Sequence, residues 1–511
     1  MSGPTTFSLA LANEAATAHL MADLALLISP GDVITLSGDL GAGKTAAARA
    51  MIRYLAGDDA VEVPSPTFTL VQAYDLPPLA LLHADLYRIS DASELEEIGL
   101  SPLPEGTVAL IEWPERAGRA LSSDRIDIAF NHRPALGSTA RSAEITGHGK
   151  AAALVERLKA LRQFLTEVGL GEAKRRRMAG DASIRSYARL VRDDGTFILM
   201  NSPRRPDGPA IYDGKSYSAA VHLAEDIKPF VAIAAGLRAR GLSSPLIHHA
   251  DLEGGFLITE DFGSTGFIEG DPPQPIPERY EAAVDMLVAL HREPMPEILP
   301  LAPHVSYRIA TFDTDALLVE IGLMLEWYLP DRGAPPSDDL RAEFAAMWRD
   351  LLQKPQSAAK TYAKTWVLRD FHSPNLIWLG ERNGIERVGI IDFQDAVLGP
   401  AAYDLVSLLQ DARIDVPEGL ELTLFSRYIK ARREADAGFD PAEFAALYAI
   451  MSAQRNTRLL GTFARLNRRD GKPQYLRHQP RIWTYLNRSL AHPALAPVRA
   501  WYEAHVPPPA P

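Results

Sequence analysis

The stretch DVITLSGDLGAGKTAAARAMIRYLAG, residues 32–57, decides the fold class of the first part of this chain. Residues 33–36 are apolar and β-branched enough for a strand buried on both faces. Residues 38–45, GDLGAGKT, then satisfy G-x-x-x-x-G-K-[ST], and the run that follows has the composition of a helix. Strand, glycine-rich loop and helix in that order form an anion cradle. The glycines let successive backbone N–H groups turn inward around phosphate oxygens, and the helix points its positive end at the same charge. Gly38, Asp39, Leu40, Gly41, Ala42, Gly43, Lys44 and Thr45 are therefore candidate nucleotide contacts. Lys44 suits the β and γ phosphates, and the Thr45 hydroxyl suits Mg²⁺.

Outward from this loop, FTLVQAY, ALLHADL, TVALIEW, RIDIAF and SAEITG read as further strands, spaced as in an α/β domain. A nucleotide site also needs carboxylates at the ends of neighbouring strands. Asp85 follows ALLHA and Glu112 follows TVALI. The run AAALVERLKALRQFLTEV, with Leu154, Leu158, Leu161 and Leu165 at helical spacing, is expected to close this domain by residue 166. Residues 167–177 then read as a linker, and its basic run KRRR as a solvated surface.

Residues 178–500 open with the β-like YARLVRD, TFILM and GFLITED and become helical from RYEAAVDMLVALHRE onward. A small β-rich lobe followed by a larger helical one is an α+β plan with a cleft between lobes. LRDFHSPNLIWL holds Asp370 and, five residues later, Asn375; seventeen positions further on, the apolar run RVGII ends at Asp392. Protein-kinase-like phosphotransferases use one aspartate to accept the proton of the attacking hydroxyl. They use an asparagine and a second aspartate to hold Mg²⁺ on ATP. Asp370, Asn375 and Asp392 have that order and spacing. His372 either positions substrate or packs, and Trp327, Trp366 and Trp378 sit in apolar contexts that favour a core role. The last segment, 501–511, ends in VPPPAP and reads as a disordered tail.

Composition bounds these readings. A length of 511 residues asks for several domains, and 53 basic against 65 acidic residues give a formal charge of −12 that disfavours a nucleic-acid coat. With no cysteine there is no disulfide, thiolate metal site or cysteine nucleophile. No basic region precedes an apolar one at the start and no apolar run approaches a membrane span, so a soluble cytoplasmic protein without a membrane partner is expected.

Four motifs in order, GDLGAGKT, SPTFTLVQAY (65–74), HADLYRI (83–89, with ELEEIGL after it) and IEWPE (111–115), make residues 7–150 resemble the TsaE (YjeE) ATPases of bacterial tRNA modification. The resemblance implies a P-loop NTPase fold and ATP hydrolysis. It puts Thr67 in a switch-like loop near the nucleotide, Asp85 assisting Mg²⁺ and Glu112 as the catalytic acidic residue near the γ phosphate. It also implies TsaB- and TsaD-like partners in making N6-threonylcarbamoyladenosine, with tRNA engaged only indirectly.

The second part resembles the aminoglycoside phosphotransferase superfamily, a bilobal protein-kinase-like fold, and within it the AmgK-like anomeric kinases of N-acetylmuramate and N-acetylglucosamine. The resemblance rests on GDASIRSYARL (180–190), FILMNSP (197–203), FLITEDFG (256–263), RDFHSPN (369–375), IDFQDAVLGPAAYDL (391–405) and QRNTRLLGTFARL (454–466). It implies ATP as phosphoryl donor, a loop over the phosphates carrying Gly180, Ser183 and Arg185, a hinge for adenine at Glu260, and a sugar substrate from cell-wall recycling. Two positions depart from the superfamily pattern. Met200 stands where a phosphate-pairing lysine is usual, as in AmgK-like chains, leaving Arg185 to supply charge; Leu368 replaces a histidine that packs under the catalytic loop. An antibiotic or choline-type kinase and a non-catalytic module are the rivals for this part, and an unrelated P-loop metabolite kinase is the rival for the first.

Overall fold

A computed structural model describes residues 3–91, 94–178, 185–205, 208–358 and 364–509. The chain forms two compact units, residues 1–203 with 247–261, and residues 204–246 with 262–511.

The first unit contains strand β1 (Thr5–Leu11), helix α1 (Glu14–Ala25), β2 (Val33–Ser37), α2 (Lys44–Ala56), β3 (Val71–Leu76), β4 (Leu79–Asp85), α3 (Glu94–Glu97), β5 (Thr107–Glu112), β6 (Arg125–His132), β7 (Arg141–His148) and α4 (Ala151–Glu167). Its strands form one sheet in the order β1-β7-β6-β2-β5-β4-β3. The middle of the sheet is parallel, β2 with β5 and β6, and β4 with β5. The outer pairs are antiparallel. β5 is buried throughout and β2 over its first four residues, as unbroken apolar runs require. β1 was not among the expected strands, although Phe7, Leu9 and Leu11 of its TTFSLAL alternate on one face, half-buried to buried, as an edge strand's should.

A second, antiparallel sheet in the same unit has the order β11-β12-β10-β9-β8, from β8 (Lys174–Arg177), β9 (Ser186–Arg192), β10 (Gly195–Asn201), β11 (Ile247–Asp251) and β12 (Phe256–Glu260). Two expectations fail here. The basic run of the supposed linker is β8, paired with β9 and gripping the first sheet's helices. Arg175 is buried against Asp23 of α1 at 2.9 and 3.1 Å, and Arg162 of α4 reaches the same carboxylate at 2.8 Å. Lys174 pairs with Asp59 at 2.7 Å, while Arg177 donates to the backbone carbonyls of Leu55 and Pro77. Nor does α4 close one domain. Val155 and Leu158 lie in the core under the first sheet, whereas Leu161, Phe164 and Leu165 pack with Ala188, Leu190, Leu199, Phe256 and Ile258 of the second. Its apolar stripe is long enough to serve both sheets.

The second unit is mostly helical, with Pro277–Arg292, Thr314–Leu323, Asp338–Ala358, Glu418–Ala435, Pro441–Asp470 and Gln479–Leu490 as its main helices. Two short ladders, Lys364–Val367 with Val397–Pro400 and Leu376–Trp378 with Val388–Ile390, frame the loop that holds Asp370. Residues 501–505, expected in a disordered tail, finish a helix Ala496–His505 instead. Trp501 and Tyr502 are buried there, with Tyr502 bonded to Thr457 at 2.6 Å, and Tyr328 donates to the Pro507 carbonyl at 2.8 Å. The aromatic pair anchors what the terminal prolines made look free. Trp366 is fully buried and donates to the Pro296 carbonyl, while Trp378 lies beneath Arg279 and Arg387. Among the described residues no helix is long and apolar enough to cross a membrane.

Candidate active sites

The loop between β2 and α2 has Gly38, Gly41 and Gly43 at φ of 131°, 78° and 107°. Gly38 is constrained twice, because a Cβ there would lie 2.4 Å from the Phe130 carbonyl oxygen of β6. Gly43 begins α2 without any side-chain cap, which leaves the first N–H groups of the helix open to an anion. Lys44 points back along the loop: its Nζ donates to the carbonyls of Gly38 (2.7 Å) and Asp39 (3.0 Å) and sits 3.5 Å over the Trp113 ring. Burial lowers the Lys44 pKa, against the opposing pull of Glu112, Glu115, Asp85 and Asp39.

Parallel register sets the carboxylates beside this loop. Leu36 of β2 is opposite Glu112 of β5, and Glu112 is opposite Asp85 of β4. Both oxygens of Glu112 are engaged: Thr45 Oγ1 donates to Oε2 at 2.9 Å, and His83 Nε2 lies 2.9 Å from Oε1. Asp85 accepts from Ser65 Oγ (2.9 Å), Thr67 Oγ1 (3.1 Å) and the Tyr87 N–H (3.0 Å). A cavity of about 440 Å³ runs over Lys44, Thr45, Thr67, Asp85, Glu112 and Trp113. The structure brings the expected residues Lys44, Thr45, Thr67, Asp85 and Glu112 to one cavity and adds His83, which the sequence reading did not single out. That residue lies two positions before Asp85 on one strand face and is fully buried. Its spacing was the available signal.

In the second unit Asp370, Asn375 and Asp392 come together. Pairing of Leu376 with Ile390 sets Asn375 beside Asp392. Asn375 Nδ2 donates to the Asp370 carbonyl at 3.0 Å and to Asp392 Oδ2 at 3.4 Å, and Gln394 Nε2 donates to Asp392 Oδ1 at 3.0 Å. Arg369 and Asp392 occupy the left-handed region, at φ of 69° and 59°. Such strain at side-chain-bearing residues persists only where the surroundings over-determine it. For Arg369 they do: Asp404 accepts from the backbone N–H groups of Leu368 (2.6 Å) and Arg369 (2.9 Å). Burial raises the Asp404 carboxyl to about 7, with those two N–H groups opposing.

Burial alone would raise Asp370 as well, but Arg458, His372, Arg369 and Arg455 hold it below the usual carboxylate range. Asp370 is thus kept as an anion. His372 is buried, with Arg413 at 3.3 Å from its Nε2, and burial pushes it down to about 4. Leu368 is buried as its packing role requires. Met200 is buried in β10 opposite Leu257, an apolar environment that has no place for the usual lysine. Glu260 ends β12 and half-buried Arg185 immediately precedes β9, both in the first unit. Gly180 and Ser183 lie outside the described residues.

Among the described residues no three His, Asp or Glu side chains cluster as a metal cage. Both sites nevertheless fit Mg²⁺, which takes one or two protein ligands and completes its shell with phosphate oxygens and water. Thr45 and Asp85 at the first site, and Asn375 and Asp392 at the second, are the residues that could hold it.

Known proteins match the two parts separately. The family described as "Threonylcarbamoyl adenosine biosynthesis protein TsaE" matches residues 11–141, and the "Phosphotransferase enzyme family" matches residues 174–447. The N-acetylmuramate/N-acetylglucosamine kinase of Caulobacter vibrioides is 38% identical over 365 residues, covering 69% of this chain and 97% of that protein. Its Pseudomonas aeruginosa namesake is 31% identical, over 62% of this chain and 84% of the relative. The tRNA threonylcarbamoyladenosine biosynthesis protein TsaE of Rickettsia felis is 32% identical, over 32% of this chain and 95% of the relative.

Proposed function

This chain belongs to the TsaE family in its first part and to the phosphotransferase enzyme family in its second, and from that premise we propose two ATP-dependent reactions on one polypeptide. The first is ATP hydrolysis in support of tRNA N6-threonylcarbamoyladenosine synthesis, together with TsaB- and TsaD-like proteins. Lys44 exchanges the Gly38 and Asp39 carbonyls for phosphate oxygens, and the loop N–H groups hold the rest of the polyphosphate. Thr45 and Asp85 would hold Mg²⁺, which would neutralise charge on the phosphates. Glu112, beside Thr45, would orient the attacking water, and His83 keeps its carboxylate in place. A formal charge of −12 argues against tight unaided binding of tRNA, which is reached through the partners.

The second reaction is transfer of the ATP γ-phosphoryl group to a sugar, N-acetylmuramate or N-acetylglucosamine at the anomeric hydroxyl, in cell-wall recycling. Asp370 accepts the proton of that hydroxyl and orients it; Asn375 and Asp392 hold Mg²⁺. The reactions belong in the cytoplasm, where ATP is supplied. The observation that carries the kinase reading is Asn375 bonded to both the Asp370 carbonyl and the Asp392 carboxylate, with the Asp370 side chain held as an anion. Its test is turnover of γ-labelled ATP by the purified protein with amino sugars, aminoglycosides and choline. Label is expected in a sugar 1-phosphate. Label only in an aminoglycoside or choline sinks the substrate assignment.

A further inference from the structure

Glu320, in the helix Thr314–Leu323, belongs to none of the motifs above, yet it is fully buried beneath the catalytic loop. Three side chains converge on its carboxylate. Arg369 donates to Oε1, Arg458 Nη1 donates to the same oxygen at 3.3 Å, and Gln454 Nε2 donates to Oε2 at 3.1 Å. Arg458 and Gln454 come from the helix Pro441–Asp470. Arg369 is the residue immediately before Asp370 and is itself buried, its other terminal nitrogen donating to the Val221 carbonyl at 2.6 Å. It holds a left-handed φ of 69°, which costs any residue but glycine. A buried ion pair is a poor way to gain stability, because apolar replacements of similar volume are often as stable or more so. What it does supply is a fixed direction.

We propose that Glu320 is a positioning residue for phosphoryl transfer: through the Arg369 guanidinium it locks the left-handed turn that aims Asp370 at the attacking hydroxyl. This rests on the kinase reading above. Glu320 touches neither substrate nor metal. Its hold on the turn runs from carboxylate to guanidinium to the backbone of Arg369 and so to Asp370, which is why glycine at 369 should make that clamp dispensable; Arg458, the other cation on Glu320, keeps its charge near Asp370 when the carboxylate becomes an amide. Glycine takes that φ without a clamp, and Glu320 would keep Arg458 and Gln454 as partners.

The test is a double-mutant cycle on the full chain, with sugar turnover and hydrogen exchange as readouts. Glu320→Gln should lower kcat by about 10²-fold, the scale of a catalytic group displaced by roughly 1 Å, with little change in KM for ATP. The same substitution should speed exchange of the Leu368 and Arg369 amides while the melting of the unit stays cooperative. In an Arg369→Gly background, Glu320→Gln should add no further loss of kcat. Independent, multiplying losses in the double variant, or unchanged exchange at those amides, would overturn the proposal. If Glu320→Gln does not fold, Glu320→Asp, which keeps the charge one methylene short, enters the same cycle with the same expectation. If the unmodified protein phosphorylates no sugar, the kinase reading falls, and the exchange data still decide the role of Glu320.

Discussion

Asn375 bonds the backbone carbonyl of Asp370 and the carboxylate of Asp392, and the proposed reaction gives the two aspartates different tasks. Asp370 is held below the usual carboxylate range against burial by Arg458, His372, Arg369 and Arg455, and in the proposed kinase reaction it takes the substrate hydroxyl proton. Asp370→Asn should therefore lower kcat by about 10²- to 10⁴-fold, the usual worth of a general base, while ATP affinity holds. Asp392→Asn should weaken Mg·ATP binding as well as turnover, and added Mg²⁺ should restore part of it. Titration of nucleotide binding against Mg²⁺ separates the two variants; indistinguishable behaviour would mean the roles are misassigned. These residues were legible in the sequence because phosphoryl transfer fixes their types and spacing. His83 and Glu320 were not, since one depends on strand register and the other on which helix packs under the loop. No local pattern records a partner 49 residues away.

At the scale of elements, apolar density decided what could be read. β2 and β5 declare themselves as buried runs, and the long helices by their periodicity. β8 does not, because KRRR looks solvated until Asp23 and the ends of α2 and β3 are known to receive its side chains. The boundary drawn at residues 167–177 fails for the same reason. Asp23 is the test of this clamp, being fully buried between Arg162 and Arg175. Asp23→Ala leaves two cations in the interior without their counter-charge and should cost about 3–5 kcal/mol, visible as a lower denaturation midpoint of the first unit. Asp59→Ala, which removes only the exposed Lys174 pair, should change the midpoint by less than about 1 kcal/mol. Equal effects would show that the buried triad carries no special weight.

Across the whole molecule, burial leaves several histidines hard to protonate: His19, His372 and His478 are pushed down to about 4, and His291 to about 3. Unfolded, each titrates near 6.5, at about its ordinary value. Between about pH 6.5 and 4 the unfolded chain thus binds protons that the native one does not, so stability falls as pH drops through that window. Asp404, raised to about 7, works in the opposite sense with Asp32 and Glu421, three carboxyls against five histidines once His222, also lowered by burial, is included. Denaturation midpoints should be lower at about pH 5 than at about pH 7.5, and a higher midpoint at pH 5 would refute this balance. The two active sites, by contrast, should respond separately. Lys44 and its loop follow β2 of the seven-stranded sheet in the first unit, while Asp370, Asn375 and Asp392 lie in the second. Lys44→Ala removes the one lysine that can leave the Gly38 and Asp39 carbonyls for the γ phosphate, so sugar-independent ATP hydrolysis should fall by about 10²- to 10³-fold, the scale of losing one preorganised charge partner. Sugar phosphorylation should then persist at the unmodified rate. If it disappears while the protein still melts cooperatively, the two reactions share one nucleotide site or depend on each other's occupancy, and the separation of chemistry between the units is wrong.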